Sequence, residues 1–287
     1  MATFNEMRAL INICHKLPLT IAKRLLVFVN ITITDVGNRP ITQQALNNFL
    51  IINKRNMDTL SALRLKYKEK KEVLLEENIR IKEPITLFKE WLELALKTEE
   101  ILEPNAACLA TVNSKGHPSN RFVLLKDVSS DGFTFFTNYG SRKANDIATN
   151  PNVAMTLYWC PLRRSVRIEG KAEKISTDDS LKYFHERPRA SQIGALASEQ
   201  SARIPSRDYL DVVEQRLKDD LGADKEVPMP NWGGYLIRPQ LIEFWQGQTD
   251  RLHDRIVFRR GSDVDQEIDG TLVHKGENDW IYERLAP

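Results

Sequence analysis

The 287-residue chain has few of the features that mark secreted, membrane-spanning or metal-binding proteins. Its three cysteines, Cys14, Cys108 and Cys160, lie far apart and form no C-x-x-C pair. This spacing argues against a disulfide scaffold or a zinc site and favours a reducing compartment such as the cytoplasm. No apolar run is long enough to cross a membrane. The formal net charge of +2 argues against long-range attraction to nucleic acid or anionic lipid.

Several common catalytic and nucleotide-binding patterns are also missing. No G-x-G-x-x-G motif follows a strand, no P-loop is present, and strands do not alternate with helices. A Rossmann-type nucleotide site is therefore not expected. The sequence contains no paired carboxylates, no His/Cys cluster with metal-ligand spacing and no Ser–His–Asp pattern. We therefore expect no metal site.

The N-terminal part of the chain differs in composition from the rest. Residues 1–62 mix scattered basic and apolar residues with an Asn-, Ile- and Thr-rich stretch that has no clean period. We interpret them as an extension of unknown role, poorly ordered, with mitochondrial targeting as the alternative. Residues 63–83 are strongly charged and predict a solvated helix or a mobile arm that could cover an active site. Residues 84–287 then form the main domain.

Hydrophobic periodicity predicts that this domain is α+β and is built on an antiparallel sheet. Apolar residues recur at helical spacing from Pro84, and alternation with turn signals begins at Ala106. Helices are expected at 141–150 (with Ser141 as N-cap), 177–186 and 206–221, and strands at 106–112, 121–126, 133–138, 153–159, 165–175, 234–238, 241–247, 251–259 and 280–284. Because a helical excursion separates two groups of strands, we expect the sheet to close as a barrel with flanking helices.

The segment 245–255, WQGQTDRLHDR, is the most informative part of the sequence. Read as a strand, it places Arg251, His253 and Arg255 on one face. Two guanidiniums flanking an imidazole suit an anionic or phosphorylated ligand, with the imidazole available for proton transfer. An edge strand with a solvated basic face explains the charges equally well. The preceding Trp-Gln-Gly-Gln favours the binding interpretation.

A candidate phosphate site lies at residues 137–143, TNYGSRK, where a strand ends and a helix begins. Free N–H groups at a helix N-terminus, together with Arg142 and Lys143, form a natural phosphate cradle. The alternative is a capped surface helix with ordinary basic residues.

A second candidate lies at residues 183–191, YFHERPRAS. Tyr183 and Arg187 share one helical face, and Ser191 can follow across the break at Pro188. His185 lies off that face and is interpreted as structural. Two separate phosphate candidates and the Arg-x-His segment together imply two phosphorylated ligands.

At these segments the chain resembles the pyridoxine (pyridoxamine) 5′-phosphate oxidase family. The resemblance extends from about residue 63 to the end and is dense at RFVLLK, FFTNYGSRKA, YFHERPRASQIGA, NWGGY, EFWQGQTDRLHDRIVFRR and YERLAP. It implies a split β-barrel in a homodimer, with flavin mononucleotide (FMN) at the subunit interface. The implied reaction transfers a hydride equivalent from C4′ of pyridoxine or pyridoxamine 5′-phosphate to the flavin, giving pyridoxal 5′-phosphate. Oxygen then reoxidises the flavin and yields hydrogen peroxide.

The resemblance also implies roles for individual residues of this sequence. The residues expected to bind FMN are Arg121, Phe122, Val123, Leu124, Phe136, Thr137, Arg142, Lys143, Gln200, Ser201, Trp245 and Arg255. Those expected to hold the substrate phosphate are Lys126, Tyr183, Arg187 and Ser191. Arg251 and His253 would meet the pyridine ring and are the catalytic candidates. Arg251 would favour a near-attack geometry, and His253 would handle a proton or orient the substrate.

Two positions depart from the family pattern. Ser165 stands where the family usually has a flavin-contacting Gln, and losing one hydrogen bond costs on the order of 1 kcal/mol. Residues Lys68–Lys71 lie in the arm that covers the substrate in relatives, which more often have Arg there. Lys supplies charge without a bidentate fork, so closure is expected to be looser. Ser165 motivates an alternative function, a non-catalytic carrier of flavin or pyridoxal phosphate with the same fold.

Overall fold

The computed structural model of the chain describes residues 73–76, 79–249, 252–260 and 268–287. The N-terminal segment 1–62, the basic run Lys68–Lys71 and Arg251 lie outside the described residues. In the described part the strands are β1 (Ala106–Val112), β2 (Pro118–Ser129), β3 (Gly132–Asn138), β4 (Asn152–Trp159), β5 (Arg164–Lys174), β6 (Trp232–Gln246), β7 (Asp254–Arg259), β8 (Val273–Lys275) and β9 (Ile281–Arg284). The helices are α1 (Pro84–Leu96), α2 (Arg142–Thr149), α3 (Thr177–Glu186), α4 (Arg189–Ala197) and α5 (Arg207–Leu221).

Six of these strands close into an antiparallel barrel. They pair in the order β3-β2-β1-β4-β5-β6, and an additional pairing between β3 and β6 completes the ring. The predicted antiparallel barrel with flanking helices is confirmed. Strands β7, β9 and β8 extend the sheet from β6 beyond the barrel.

Strand β6 belongs to both parts of the sheet. Its first half pairs with β3 and its second half, Leu241–Gln246, pairs with β7. The sequence predicted two strands here, at 234–238 and 241–247, whereas the structure has one continuous strand. Pro239 interrupts the alternation pattern but is accommodated where the register with β5 shifts at Gly170. A Cβ at Gly170 would lie 2.1 Å from the Arg238 carbonyl oxygen, so the close approach requires glycine.

Helix α1 begins where the sequence predicts, and it packs against the barrel interior. Both carboxylate oxygens of Glu83 accept backbone N–H groups of the first turn, which caps the helix N-terminus. Phe88 is fully buried and contacts Phe133 edge-on, with ring centroids 4.9 Å apart. Trp91 meets Phe244 in the same way at 5.1 Å. These contacts fix the barrel as a rigid scaffold for the side chains at its rim.

Within the described residues, the helices are all too short or too polar to cross a lipid bilayer. Helix α3 has the predicted bounds, and α2 and α5 each end within a residue of the prediction. Helix α4 was not predicted, because only Gln192 and Ile193 of its nine residues are buried and its apolar period is weak. Strand β8 is three residues long and was also missed.

Candidate active site

The ammonium group of Lys143 is buried at the N-terminus of α2 and contacts only neutral oxygens. Its Nζ donates to Thr137 Oγ1 at 2.9 Å, to Ser141 Oγ at 3.2 Å and to Gln200 Oε1 at 2.5 Å. Burial, reinforced by the positive charge of Arg121, lowers the pKa of Lys143 to about 8. A buried cation held by neutral acceptors is costly by itself and suits a site that receives an anion.

The guanidinium of Arg121 approaches the same helix from β2. Its Nη1 donates to Thr111 Oγ1 at 2.8 Å and to the Leu109 carbonyl oxygen at 3.2 Å. The buried carboxylate of Asp146 accepts from Thr111 Oγ1 at 2.7 Å and lies 3.9 Å from Arg121 Nη2. Burial lowers the pKa of Arg121, and Asp146 opposes that effect. Two hydrogen bonds thus orient Arg121, and Asp146 provides a nearby negative charge without a direct hydrogen bond to it.

The start of α2 completes this cluster. Ser141 occupies the N-cap position as predicted, but its side chain caps no N–H group and accepts from Lys143 instead. The backbone N–H of Arg142 donates to Ser201 Oγ at 3.2 Å, and Thr137 Oγ1 donates to Gln200 Oε1 at 3.0 Å. The structure therefore brings together the expected FMN residues Thr137, Arg142, Lys143, Gln200 and Ser201. Arg121 lies beside them.

The four expected FMN residues on β2 divide between the two faces of the strand. Arg121 and Val123 pair with the buried Leu109 and Ala107 and lie on the inner side. Phe122 and Leu124 project outward and are 76% and 36% exposed. Side-chain alternation prevents all four side chains from meeting one ligand, so any shared contact must use backbone atoms.

The expected substrate residue Lys126 occupies a bulge in β2. The register with β3 shifts between Leu125 and Asp127, which leaves Lys126 as the extra residue. Arg121 and Lys126 differ in parity along the strand, so the bulge changes which face Lys126 would otherwise take. The Lys126 side chain is exposed.

Three aromatic rings stack on one another at the second predicted phosphate site. The rings of Phe136, Tyr183 and Trp232 are nearly parallel, with centroids 4.0 Å apart for Phe136–Tyr183 and 5.1 Å for Phe136–Trp232. Arg187 lies over Trp232 at 4.9 Å, and its Nη1 is buried without a hydrogen-bond partner among the described residues. Burial lowers the pKa of Arg187 and raises that of Tyr183, and the two groups interact. Ser191 follows on α4, which begins after Pro188.

The predicted strand at 251–259 begins later than the sequence indicated, so one expectation about it is wrong. Strand β7 starts at Asp254, and His253 lies directly before it, outside the strand. Alternation holds only from Asp254, which is buried like Ile256, while Arg255 points to the other face. Gly247, directly after β6, lies close to the Trp245 ring, because a Cβ there would be 2.9 Å from it. The common face of His253 and Arg255 therefore does not arise from strand pairing.

His253 is nevertheless held firmly beside Trp245. The ring centroids of the two side chains are 4.9 Å apart. The backbone N–H of Gln248 donates to His253 Nδ1 at 2.9 Å. Because an N–H group can only donate, Nδ1 carries no proton in this arrangement and the neutral ring carries its proton on Nε2. The neutral His253 ring is therefore a hydrogen-bond donor, and not an acceptor, at Nε2.

Arg255 is held by a buried carboxylate and by the C-terminal segment. Its Nε donates to Glu243 Oε1 at 2.7 Å, its Nη2 to Glu243 Oε2 at 3.3 Å and its Nη1 to the Ala286 carbonyl oxygen at 2.9 Å. Arg167 also binds Glu243, through Nη2 at 2.5 Å. Burial raises the pKa of Glu243, but the hydrogen bonds from Arg255 and Arg167 outweigh it and hold that pKa below its ordinary value.

A cavity of about 370 Å³ lies on this outer face of the sheet. Ser165 lines it and pairs directly with Trp245 on β6. The other lining residues are Thr156, Tyr158, Arg167 and Glu243. The short side chain of Ser165 thus lies in the wall of a cavity, beside the expected FMN residue Trp245.

Three residues of this region are absent from the predicted site residues. Glu243 stands in the apolar run LIEFW, and Asp146 lies on the buried face of α2. A carboxylate at a position that the pattern buries must be paired with a cation or donor, and that signal could have identified both. Trp232, in the segment NWGGY, belongs to the aromatic stack beneath Arg187.

The sequence of this chain matches two families of known proteins. Residues 95–218 match the family described as pyridoxamine 5′-phosphate oxidase. Residues 232–287 match the pyridoxine 5′-phosphate oxidase C-terminal dimerisation region. The chain is 56% identical over 236 residues to the pyridoxine/pyridoxamine 5′-phosphate oxidase of Bombyx mori, covering 81% of this chain and 91% of that protein. The chain belongs to the pyridoxamine 5′-phosphate oxidase family.

Other members and structures agree with this family membership. The pyridoxine-5′-phosphate oxidase of Bos taurus is 47% identical over 229 residues, covering 79% of this chain and 87% of that protein. The crystal structure of PhzG from Burkholderia lata 383, in complex with tetrahydrophenazine-1-carboxylic acid, has a TM-score of 0.65 and 28% identity. It covers 75% of this chain and 98% of the PhzG chain. The sequence relatives and the fold of a solved structure therefore both agree with membership of this family.

Proposed function

We propose that this chain is an oxidase that converts pyridoxine 5′-phosphate and pyridoxamine 5′-phosphate to pyridoxal 5′-phosphate. The observation that carries the proposal is its 56% identity to the Bombyx mori oxidase over 91% of that protein. With pyridoxine 5′-phosphate, one oxygen is consumed and one hydrogen peroxide is formed. With pyridoxamine 5′-phosphate, one water is also consumed and ammonia is released. Each reaction removes a hydride equivalent from the substrate carbon that becomes the aldehyde and a proton from the hydroxyl or amino group attached to that carbon.

FMN is the cofactor that fits the described residues. A buried ammonium held only by neutral oxygens, at a helix N-terminus and beside Arg121, suits the phosphate of a flavin nucleotide. Arg142, Gln200 and Ser201 would hold the same phosphate region, and Trp245 and Arg255 would lie toward the ring. When bound, the flavin supplies hydride acceptance from the substrate and electron transfer to oxygen.

Arg187 and Tyr183 are the proposed anchors for the substrate phosphate. The Nη1 atom of Arg187 is buried and has no partner among the described residues, which is costly unless an anion completes it. The Arg187 guanidinium lies over the Trp232 ring, and Tyr183 adds a hydroxyl donor from α3, the helix that Arg187 directly follows. Lys126 and Ser191 are proposed to complete the set, as the family resemblance implies.

His253 and Arg251 are proposed to position the pyridine ring. The proton on His253 Nε2 favours hydrogen-bond donation to the substrate over proton abstraction from it, because Nδ1 is already occupied by the Gln248 N–H. The proposed contact of Arg251 with the pyridine ring rests on the family resemblance alone, because Arg251 lies outside the described residues. Orientation of the reacting carbon is the main contribution expected of this pair.

A homodimer is proposed as the working form. The match to a C-terminal dimerisation region covers residues 232–287. Phe122, Leu124 and Tyr158 expose apolar surface on the outer face of the sheet, and such a face suits a second copy of the chain. We propose a cytoplasmic location, with mitochondrial targeting by residues 1–62 as the alternative. N-terminal sequencing of the native protein distinguishes the two.

Turnover by the purified protein tests the proposed function. Protein supplied with FMN, oxygen and either substrate should form pyridoxal 5′-phosphate and hydrogen peroxide in equal amounts. Pyridoxine without its phosphate is the matched control and should react far more slowly, because Arg187 would then lack its anion. A protein that binds FMN and substrate but forms no aldehyde would be a carrier, and the proposal would be wrong.

A further inference from the structure

The carboxylate of Glu243 lies between two arginines that come from neighbouring strands. Its side chain is only 8% exposed. Arg167 on β5 is its direct cross-strand partner, and Arg255 on β7 reaches it diagonally from the position opposite Trp245. Arg167 also pairs with Glu169 on its own strand. The carboxylate therefore accepts from both sides and is fixed in one orientation.

The arrangement leaves Arg255 little freedom. Glu243 receives its Nε and Nη2, and the Ala286 carbonyl oxygen receives its Nη1. The backbone N–H of Leu285 also donates to the Arg255 carbonyl oxygen at 3.0 Å, so the C-terminal segment lies against this residue. A free arginine side chain would sample many rotamers, and holding it in one before a ligand arrives lowers the entropy cost of binding.

Glu243 lies at the wall of the cavity that Ser165 and Trp245 also line. Ser165 is too short to reach far into this cavity with a polar group. The orientation of a ligand bound there would therefore depend more heavily on Arg255. An unpaired carboxylate at this position would be costly to bury and would repel an anionic ligand. Its two arginine partners remove that cost, and they make the carboxylate a fixed support for Arg255.

We propose that Glu243 is a positioning residue for the flavin site: it holds the Arg255 guanidinium beside the cavity lined by Ser165 and Trp245, and Arg167 keeps its carboxylate in place. This inference rests on the proposed function, because Arg255 is the group that would meet the flavin. It predicts that Glu243 affects flavin affinity only through Arg255.

A double-mutant cycle on the full-length protein tests the inference. The FMN dissociation constant is measured by flavin fluorescence for wild type, Glu243→Gln, Arg255→Ala and the double variant. We expect Glu243→Gln to weaken FMN binding about tenfold, which corresponds to about 1.4 kcal/mol. In the Arg255→Ala background the same change should have less than a twofold further effect. Glu243→Asp keeps the charge and should retain more affinity than Glu243→Gln.

Glu283→Gln is the matched control. Glu283 pairs with Arg259, a second arginine of β7, at 3.2 Å, and neither residue belongs to the proposed site. This variant should bind FMN as wild type does. Thermal unfolding of each protein without FMN shows whether a substitution destabilises the fold or only weakens FMN binding. If Glu243→Gln does not fold, Glu243→Asp takes its place in the cycle.

Two outcomes would overturn the inference. Unchanged FMN affinity in Glu243→Gln would show that Arg255 needs no support, and multiplicative losses in the double variant would show that Glu243 acts independently of it. Failure of the proposed function would look different. In that case wild type would bind FMN and show the coupling, yet form no aldehyde. A wild-type protein that binds no FMN would overturn both.

Discussion

Replacing Lys143 by Met should make the FMN-free protein more stable and at the same time weaken its binding of FMN. The buried ammonium has a pKa of about 8. A fall in pKa from the ordinary lysine value to about 8 corresponds to a cost of about 3 kcal/mol for keeping this group charged in the folded protein, from burial and from the nearby charge of Arg121. Met fills similar space without a charge. A neutral lysine amine can donate two hydrogen bonds, and losing both costs about 2 kcal/mol. The net expectation at pH 7 is about 1 kcal/mol of added stability, or a thermal unfolding midpoint about 2 to 4 °C higher.

The pH dependence of this difference has a definite sign. Because the folded-state pKa of Lys143 is lowered to about 8, the cost of burying the charge is fully present below that pH. It fades as pH rises from about 8 toward the ordinary lysine value of about 10.4, where the unfolded chain also loses its proton. The stability advantage of Lys143→Met should therefore shrink over this window. Thermal or urea unfolding of the FMN-free proteins at several pH values measures it.

The effect on ligand binding should have the opposite direction. Loss of one charged hydrogen bond to the FMN phosphate is worth about 2 kcal/mol, or about 30-fold in the dissociation constant. Riboflavin, which has no phosphate, should bind wild type and variant alike. The exposed Lys171 provides the control, since Lys171→Met should change neither property. A Lys143→Met protein that is less stable without FMN, yet binds FMN as wild type does, would refute the anion-site account.

Three further substitutions test other parts of the site. Arg187→Met should raise the KM for both substrates at least tenfold and leave FMN affinity unchanged, since its buried Nη1 is assigned to the substrate phosphate; an unchanged KM would contradict that assignment. Ser165→Gln should tighten FMN binding about fivefold, since one added hydrogen bond is worth about 1 kcal/mol, and a flavin titration that shows no gain would place the cavity away from the flavin. His253→Gln, which keeps a donor near Nε2, should retain most of kcat, whereas His253→Phe should lose about tenfold. Equal losses in kcat would argue against a donor role.

Local pattern was enough to predict most of the barrel. Alternation bounded by turn residues predicted β1 without error, and β3 and β4 to within a residue. The helix at Pro84 was equally clear, because its apolar stripe is wide and Glu83 caps it. These elements are determined by short-range chemistry that the sequence displays directly.

The sequence-based predictions were wrong or incomplete where contacts between distant parts of the chain override the local pattern. Pro239 suggested a break, yet the β6 strand continues past it because the neighbouring Gly170 permits a register shift. The charges at 251–255 suggested one strand face, yet β7 begins only at Asp254 and His253 lies before it. The partners of Glu243 come from β5 and β7, so no local reading of the segment LIEFW could have identified them.

The sequence predicts which residue types form the site, but not how they are arranged in space. Arg142, Lys143 and Arg187 were predicted as phosphate ligands from residue type and helix geometry, and their assignment to particular ligands remains a prediction. What the structure adds is their physical state. Lys143 is a buried cation with neutral partners, and Arg187 has a buried nitrogen without a partner among the described residues. Burial depends on the whole fold and cannot be read from spacing.

Anaerobic mixing of the FMN-loaded protein with pyridoxine 5′-phosphate tests the central claim most directly. The oxidase account predicts that the visible absorbance of the flavin bleaches and that one equivalent of pyridoxal 5′-phosphate appears per flavin. Admission of oxygen should then restore the absorbance and release one equivalent of hydrogen peroxide. Flavin that remains oxidised although pyridoxine 5′-phosphate is bound would contradict the account.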